Sequence, residues 1–297
     1  MKEKIAMIEP LISVGELIAL QEGDSNALLV LDCSWHLPTS NRDATSEFGN
    51  ACIDGACFFD IDAISDPDST LPHMLPSASL FENKVRKLGV TGDTHIVVYD
   101  TSGLFSAARV WWMFRVFGHD KVQVLDGGMP AWQDAGGRLA QGIKVDLESE
   151  DITANKSESE KQFKAVLDPY RVASKHDVHL ASNDKDILIL DARSRARFNG
   201  EVAEPRAGLA SGHIPNSQCL PFTDLLEKGH LRDRASLENM LLSFGVSPQD
   251  IAAKKQTVIT TCGSGVTAAV ITLALEVAGF GLQRLYDGSW SEWGLQA

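Results

Sequence analysis

Runs of apolar, β-branched residues recur along the chain between polar loops: LLVLD ending at Asp32, HIVVYD from His95 to Asp100, LILD ending at Asp191, and TVITT from Thr257 to Thr261. Runs this short and this apolar suit strands buried on both faces of a parallel sheet. Two longer patterns, SAARVWWMFRVFG and VTAAVITLALEVAGFG, follow the second and fourth runs. Each reads as a helix closed by glycine. Strands alternating with helices predict right-handed crossovers and an α/β sheet.

The pattern is written twice. LLVLD matches LILD at an offset of 191 − 32 = 159, and IDGACFF from Ile53 matches IPNSQCL from Ile214 at 214 − 53 = 161. LDGGMPAW matches YDGSWSEW, with Asp126 against Asp287 and Trp132 against Trp293, again at 161. A repeat on this scale fixes the architecture before any single motif is read. The expected fold class is α/β with two tandem domains, each a mainly parallel sheet flanked by helices. The first spans residues 1–140 and the second 163–297, joined by the polar, acidic, weakly periodic linker 141–162.

Composition narrows the function. The 297 residues are 44% hydrophobic and 23% charged, as in ordinary globular proteins, and the net charge of −13 argues against partners that need a basic face. No nucleic acid and no membrane partner is expected. The N-terminus lacks the uninterrupted apolar core of a signal peptide, no stretch reaches the length of a membrane span, and five scattered cysteines do not form a secreted disulfide framework. A reducing, cytoplasmic setting is the expectation. Cys52 and Cys57 lack the close pairing of a zinc site, so no metal and no cofactor is expected.

Candidate chemistry gathers where the last of these strands meets its helix. The segment CGSGVTA runs from Cys262 to Ala268, placing Cys262 at a strand end and feeding a helix N-terminus. Ligands of open α/β sheets bind at strand carboxyl ends, and glycines at 263 and 265 let several backbone N–H groups converge. Such a cradle favours a thiolate or another sulfur anion. The first half is an internal control: 262 − 161 = 101, and Thr101 stands there in YDTSGLFSA, so only the second domain can carry the nucleophile. Cys33, Cys52, Cys57 and Cys219 lie in apolar strand-like contexts and read as buried packing residues.

CGSGVTA, the following DGSWSEW turn and the preceding GHIPNSQCLPF resemble the 3-mercaptopyruvate sulfurtransferases of the rhodanese superfamily, as do RVWWMFRVFGH and FFDID in the first half. The resemblance implies transfer of sulfur from 3-mercaptopyruvate through a Cys262 persulfide to a thiol acceptor such as thioredoxin or a small thiol, or to cyanide in vitro. It implies a Ser264, His73 and Asp62 set resembling a hydrolase triad, drawn from both domains. It also implies that Arg197 and Arg206 hold the donor carboxylate, while Gly263, Gly265, Val266 and Thr267 surround the sulfur; Arg193 and Arg195 are expected to be structural or solvated. Related thiosulfate sulfurtransferases typically carry basic residues directly after the cysteine, where this chain has Gly263 and Ser264. The first half departs from relatives in having Cys52–Asp54 where His-Ile-Pro is usual, whereas His213–Pro215 keeps that triplet in the second.

Three alternatives remain: a thiosulfate sulfurtransferase, a noncatalytic binding module, and a cysteine phosphatase. The last needs an arginine six residues after the cysteine, and that position is Ala268.

Overall fold

The computed structural model describes residues 8–23, 27–148 and 162–296. In the first half the chain forms β1 (Leu11–Ile12), α1 (Val14–Glu22), β2 (Leu28–Asp32), α2 (Ala44–Asn50), β3 (Cys52–Ile53), β4 (Cys57–Phe58), α3 (Ala78–Lys87), β5 (His95–Tyr99), α4 (Ala107–Val116), β6 (Val122–Leu125), α5 (Gly128–Asp134) and β7 (Leu139–Ala140). The second half continues with β8 (Val172–Ala173), α6 (Lys175–Ala181), β9 (Ile187–Asp191), α7 (Arg195–Phe198), β10 (Ser217–Cys219), β11 (Leu226–Glu227), β12 (His230–Leu231), α8 (Arg234–Ser243), α9 (Pro248–Ala252), β13 (Thr257–Thr261), α10 (Ala268–Val277), β14 (Arg284–Tyr286) and α11 (Ser289–Trp293).

Each half builds a five-stranded parallel sheet, ordered β1-β6-β5-β2-β4 and β10-β9-β13-β14-β8. The central pairs run β2 with β5 from Leu28↔His95 to Asp32↔Tyr99, and β9 with β13 from Ile187↔Thr257 to Asp191↔Thr261. The apolar runs therefore lie side by side in register, and their C-terminal residues come level at one sheet edge. Beyond the strands read from the sequence lie β6 and β14 and the two-residue edges β1 and β8, too short to show a period.

Helices α4 and α10 pack against each other between the sheets. Every residue of α4 except Arg115 is buried, as are Ala268–Leu275 of α10. A helix apolar all round is stable only when covered on every side, and each supplies the other's cover. One apolar cluster accordingly runs through both halves and includes Trp111, Trp112 and Phe114 of α4 and Leu273 and Leu275 of α10.

The expected linker is described only at 141–148 and at 162; the rest lies outside the described residues. Gln162 pairs with Thr91, Phe163 stands edge-on to Phe81 and His119, and the N–H groups of Val166 and Asp168 donate to the carbonyls of Phe117 and Val116. Residues 162–168 thus pack on the first half before the chain enters the second sheet at Val172. Among the described residues no helix is long and apolar enough to cross a membrane.

Candidate active site

Strand β13 ends at Thr261, and the backbone turns at once into the loop that precedes α10. Three residues that follow the later Asp-Gly turn clamp it. The Cys262 N–H donates to Ser289 Oγ at 3.2 Å, and the Trp290 N–H donates to the Cys262 carbonyl at 3.0 Å. The Ser291 N–H and hydroxyl both donate to the Gly263 carbonyl, at 2.8 and 2.7 Å. Gly265 has φ +76°, a left-handed conformation that glycine adopts without a Cβ penalty. Gly263 lies outside that region, and its need is space: a Cβ there would sit 2.9 Å from Arg197 Nη2.

The first half contains the same loop with its cradle filled. Asp100 occupies the position of Thr261 (261 − 161 = 100). Its carboxylate accepts the N–H groups of Ser102, Phe105, Ser106 and Ala107 at 2.9, 2.7, 2.9 and 2.9 Å. The corresponding N–H groups in the second half belong to Gly263, Val266, Thr267 and Ala268, and Thr261 offers them no carboxylate.

Cys262, Gly263, Ser264, Val266 and Thr267 line one cavity of about 240 Å³ together with Arg197 and Arg206. Trp35, Leu37 and Phe105 of the first half and Phe222 of the second form its apolar side. His73 and Asp62 stand behind Ser264. His73 Nδ1 lies 3.0 Å from Ser264 Oγ, and His73 Nε2 lies 3.1 Å from Asp62 Oδ1. Trp35 donates from Nε1 to Asp62 Oδ2 at 3.1 Å and presents its ring edge to His73, with centroids 4.6 Å apart. The His73 hydrogen bond, helped by Trp35 and by the nearby Arg206 charge, holds the Asp62 carboxyl below its ordinary pKa.

The two arginines differ in their surroundings. Arg197 donates from Nη2 and Nε to Glu204, a carboxylate 1% exposed that also accepts from Arg193 at 2.8 Å. Arg206 carries no carboxylate partner among the described residues and lies over the Trp35 ring at 6.0 Å. Burial lowers its pKa, with the neighbouring Cys262 opposing the shift. Arg193 is fully buried, bidentate on Asp191, and stacked 4.3 Å over Trp290; Arg195 pairs with Asp224 at the surface. Gly265 faces away from the cavity, toward Arg109 and Asp287.

Sequence reasoning passed over Trp35, Glu204, Arg109, Asp287 and Ser289. The repeated Asp-Gly turn was the available signal. Asp287 accepts the Leu75 N–H across the interface at 2.7 Å, and Asp126 accepts the Leu231 N–H at 2.9 Å. Each turn thus holds a strap from the other half. At the second crevice Gly103 stands where Ser264 does (264 − 161 = 103), and a Cβ on it would lie 3.0 Å from the Gly229 carbonyl. Among the described residues no three His, Cys, Asp or Glu side chains gather as metal ligands would.

Both halves match the model of the rhodanese-like domain, over residues 13–135 and 174–296. The chain is 42% identical to the 3-mercaptopyruvate sulfurtransferase of Escherichia coli over 92% of each chain. It is 40% identical to the mitochondrial thiosulfate/3-mercaptopyruvate sulfurtransferase 1 of Arabidopsis thaliana, over 98% of this chain and 78% of that one. The crystal structure of SseA from Escherichia coli, a 3-mercaptopyruvate sulfotransferase with the rhodanese fold, superposes with a TM-score of 0.79 at 38% identity, covering 95% of this chain and 99% of the other.

Proposed function

The chain belongs to the rhodanese family, and on that premise we propose that Cys262 carries sulfur as a persulfide, received from 3-mercaptopyruvate and passed to an acceptor thiol. The enzyme is a 3-mercaptopyruvate sulfurtransferase. What most supports the assignment of roles is the pair of loops: four N–H groups close on a built-in carboxylate in the first half, and their counterparts follow Cys262 in the second, where Thr261 replaces that carboxylate. A ring that binds a carboxylate in one copy is suited to a sulfur anion in the other.

In this reading the Cys262 thiolate attacks the donor sulfur. The carbon–sulfur bond breaks, its electron pair stays on carbon, and pyruvate enolate departs. The donor's thiol proton ends on the pyruvate methyl group, carried by Ser264 and His73 while Asp62 orients the imidazole. Arg206 and Arg197 hold the carboxylate, and a guanidinium fork suits that planar anion. Reduced thioredoxin, a small thiol, or cyanide in vitro then removes the outer sulfur, which is ping-pong covalent catalysis. A reducing compartment such as the cytoplasm would keep the five unpaired cysteines in their thiol form.

Mass spectrometry of the protein after exposure to 3-mercaptopyruvate should find the Cys262 peptide heavier by one sulfur, and Cys262→Ser should abolish transfer while the fold persists. An unmodified Cys262, or substantial turnover by the serine variant, overturns the scheme. Thiosulfate is the second reading. Gly263 and Ser264 give that dianion no loop cation, so kcat/KM should favour 3-mercaptopyruvate.

A further inference from the structure

We propose that Arg109, contributed by the half without the nucleophile, is a positioning residue for the hydrogen bond between His73 and Ser264; this rests on the relay reading given above. The Arg109 side chain is wholly buried in α4, its guanidinium 4.6 Å over the Trp112 ring. Nη2 donates to the His73 carbonyl at 2.6 Å and to Asp287 Oδ1 at 2.7 Å, and Nη1 reaches the Gly265 carbonyl at 3.5 Å. One guanidinium therefore grips His73 on one side of the His–Ser contact and the residue after Ser264 on the other.

His73 needs such a grip. Its φ is +61° with no glycine to relieve the crowding, and a side chain in that region persists only where its surroundings dictate it. Arg109 holds the His73 carbonyl, while the second oxygen of Asp287 holds the Leu75 N–H two residues on. The other crevice supplies the comparison. There Asp126 captures the Leu231 N–H in the same way, but its side-chain partner is the part-exposed His230, and Val270 occupies the position of Arg109 (270 − 161 = 109). At that crevice Gly103 and Gly229 face each other with no side chains to align. The arginine thus occurs at the crevice where a His–Ser pair must be aimed. A buried ion pair adds little net stability over apolar packing, so stability alone does not account for it. Lysine could not substitute, because a single ammonium lacks the planar fork needed to reach three acceptors set around it.

The test is a double-mutant cycle on the full chain, reading kcat/KM for 3-mercaptopyruvate in the parent, Ser264→Ala, Arg109→Lys and the double variant, with a thermal melt of each. Residues acting through one hydrogen bond give non-additive effects. Arg109→Lys should lower kcat/KM by about tenfold or more in the parent, in kcat rather than KM, and by under about threefold once Ser264 is absent. Equal losses in both backgrounds would reduce Arg109 to a packing role and overturn the inference, leaving the relay intact. No loss in Ser264→Ala alone would overturn the relay reading and this inference with it. Should Arg109→Lys not fold, Asp287→Asn goes through the same cycle, since it keeps the residue's shape while weakening its hold on Arg109.

Discussion

Adding one methyl group at Gly263 tests the assignment of Arg197 directly. The position tolerates a side chain conformationally, because its φ is outside the left-handed region, so Gly263→Ala carries no backbone strain. The new Cβ would lie 2.9 Å from Arg197 Nη2, whereas ordinary contact begins near 3.4 Å. The guanidinium must therefore withdraw by about 0.5 Å, the difference of those two figures. It cannot move freely, being tied to Glu204, which in turn is locked on Arg193. If Arg197 holds the donor carboxylate as proposed, a displaced fork loses a contact to it. A charged hydrogen bond is worth about 1.5–3 kcal/mol, so kcat/KM for 3-mercaptopyruvate should fall by about tenfold or more. Stability should hardly move, since Gly→Ala narrows the unfolded ensemble by about 0.4–1 kcal/mol, offsetting the crowding. The assay is steady-state transfer to cyanide alongside a melt, repeated in an Arg197→Lys background, where the alanine should cost much less. An unchanged kcat/KM in a folded Gly263→Ala protein would refute the reasoning and remove Arg197 from the donor site.

Two further perturbations follow from the same structure. Gly265→Ala meets both a left-handed backbone and close contacts at 3.0 Å with Arg109 Nη1 and the Asp287 carbonyl. It should cost about 1–2 kcal/mol in strain alone, lowering both the melting temperature and kcat, and a melt equal to the parent's would contradict this. His119 is buried against Phe114 and Phe163, and burial lowers its pKa. The unfolded chain takes up a proton near pH 6.5 that folded His119 resists, so its neutral burial is unpenalised above that pH and costs stability as pH falls below it. His119→Gln should therefore shrink the drop in melting temperature between about pH 7.5 and 5.5, and an unaltered drop would exclude this role.

How far the sequence reached follows from the range of the interactions involved. The repeat, the parallel sheets, the two long helices and the strand-to-helix loop at Cys262 were legible because each rests on neighbours within one element or on a motif compared with its own copy. LLVLD and LILD became β2 and β9, and the glycine-flanked Cys262 sits between β13 and α10 as its pattern required. Placement of Asp62, His73, Arg197 and Arg206 came from a family resemblance, and no periodicity in this chain would have brought them to Cys262. His73 and Ser264 are 191 residues apart, and their contact exists only because α4 and α10 pack face to face and the Asp-Gly turns bind the straps. Arg109 stands in an apolar helix and Glu204 in a loop, and no motif or period in the sequence marks either. Their partners come from other elements, and only burial, which makes an unpaired charge costly, selects those partners. The strands and the loop at Cys262 were thus set by local pattern, whereas the alignment of His73 on Ser264 was set by tertiary packing, because it depends on distances that no local sequence spacing encodes.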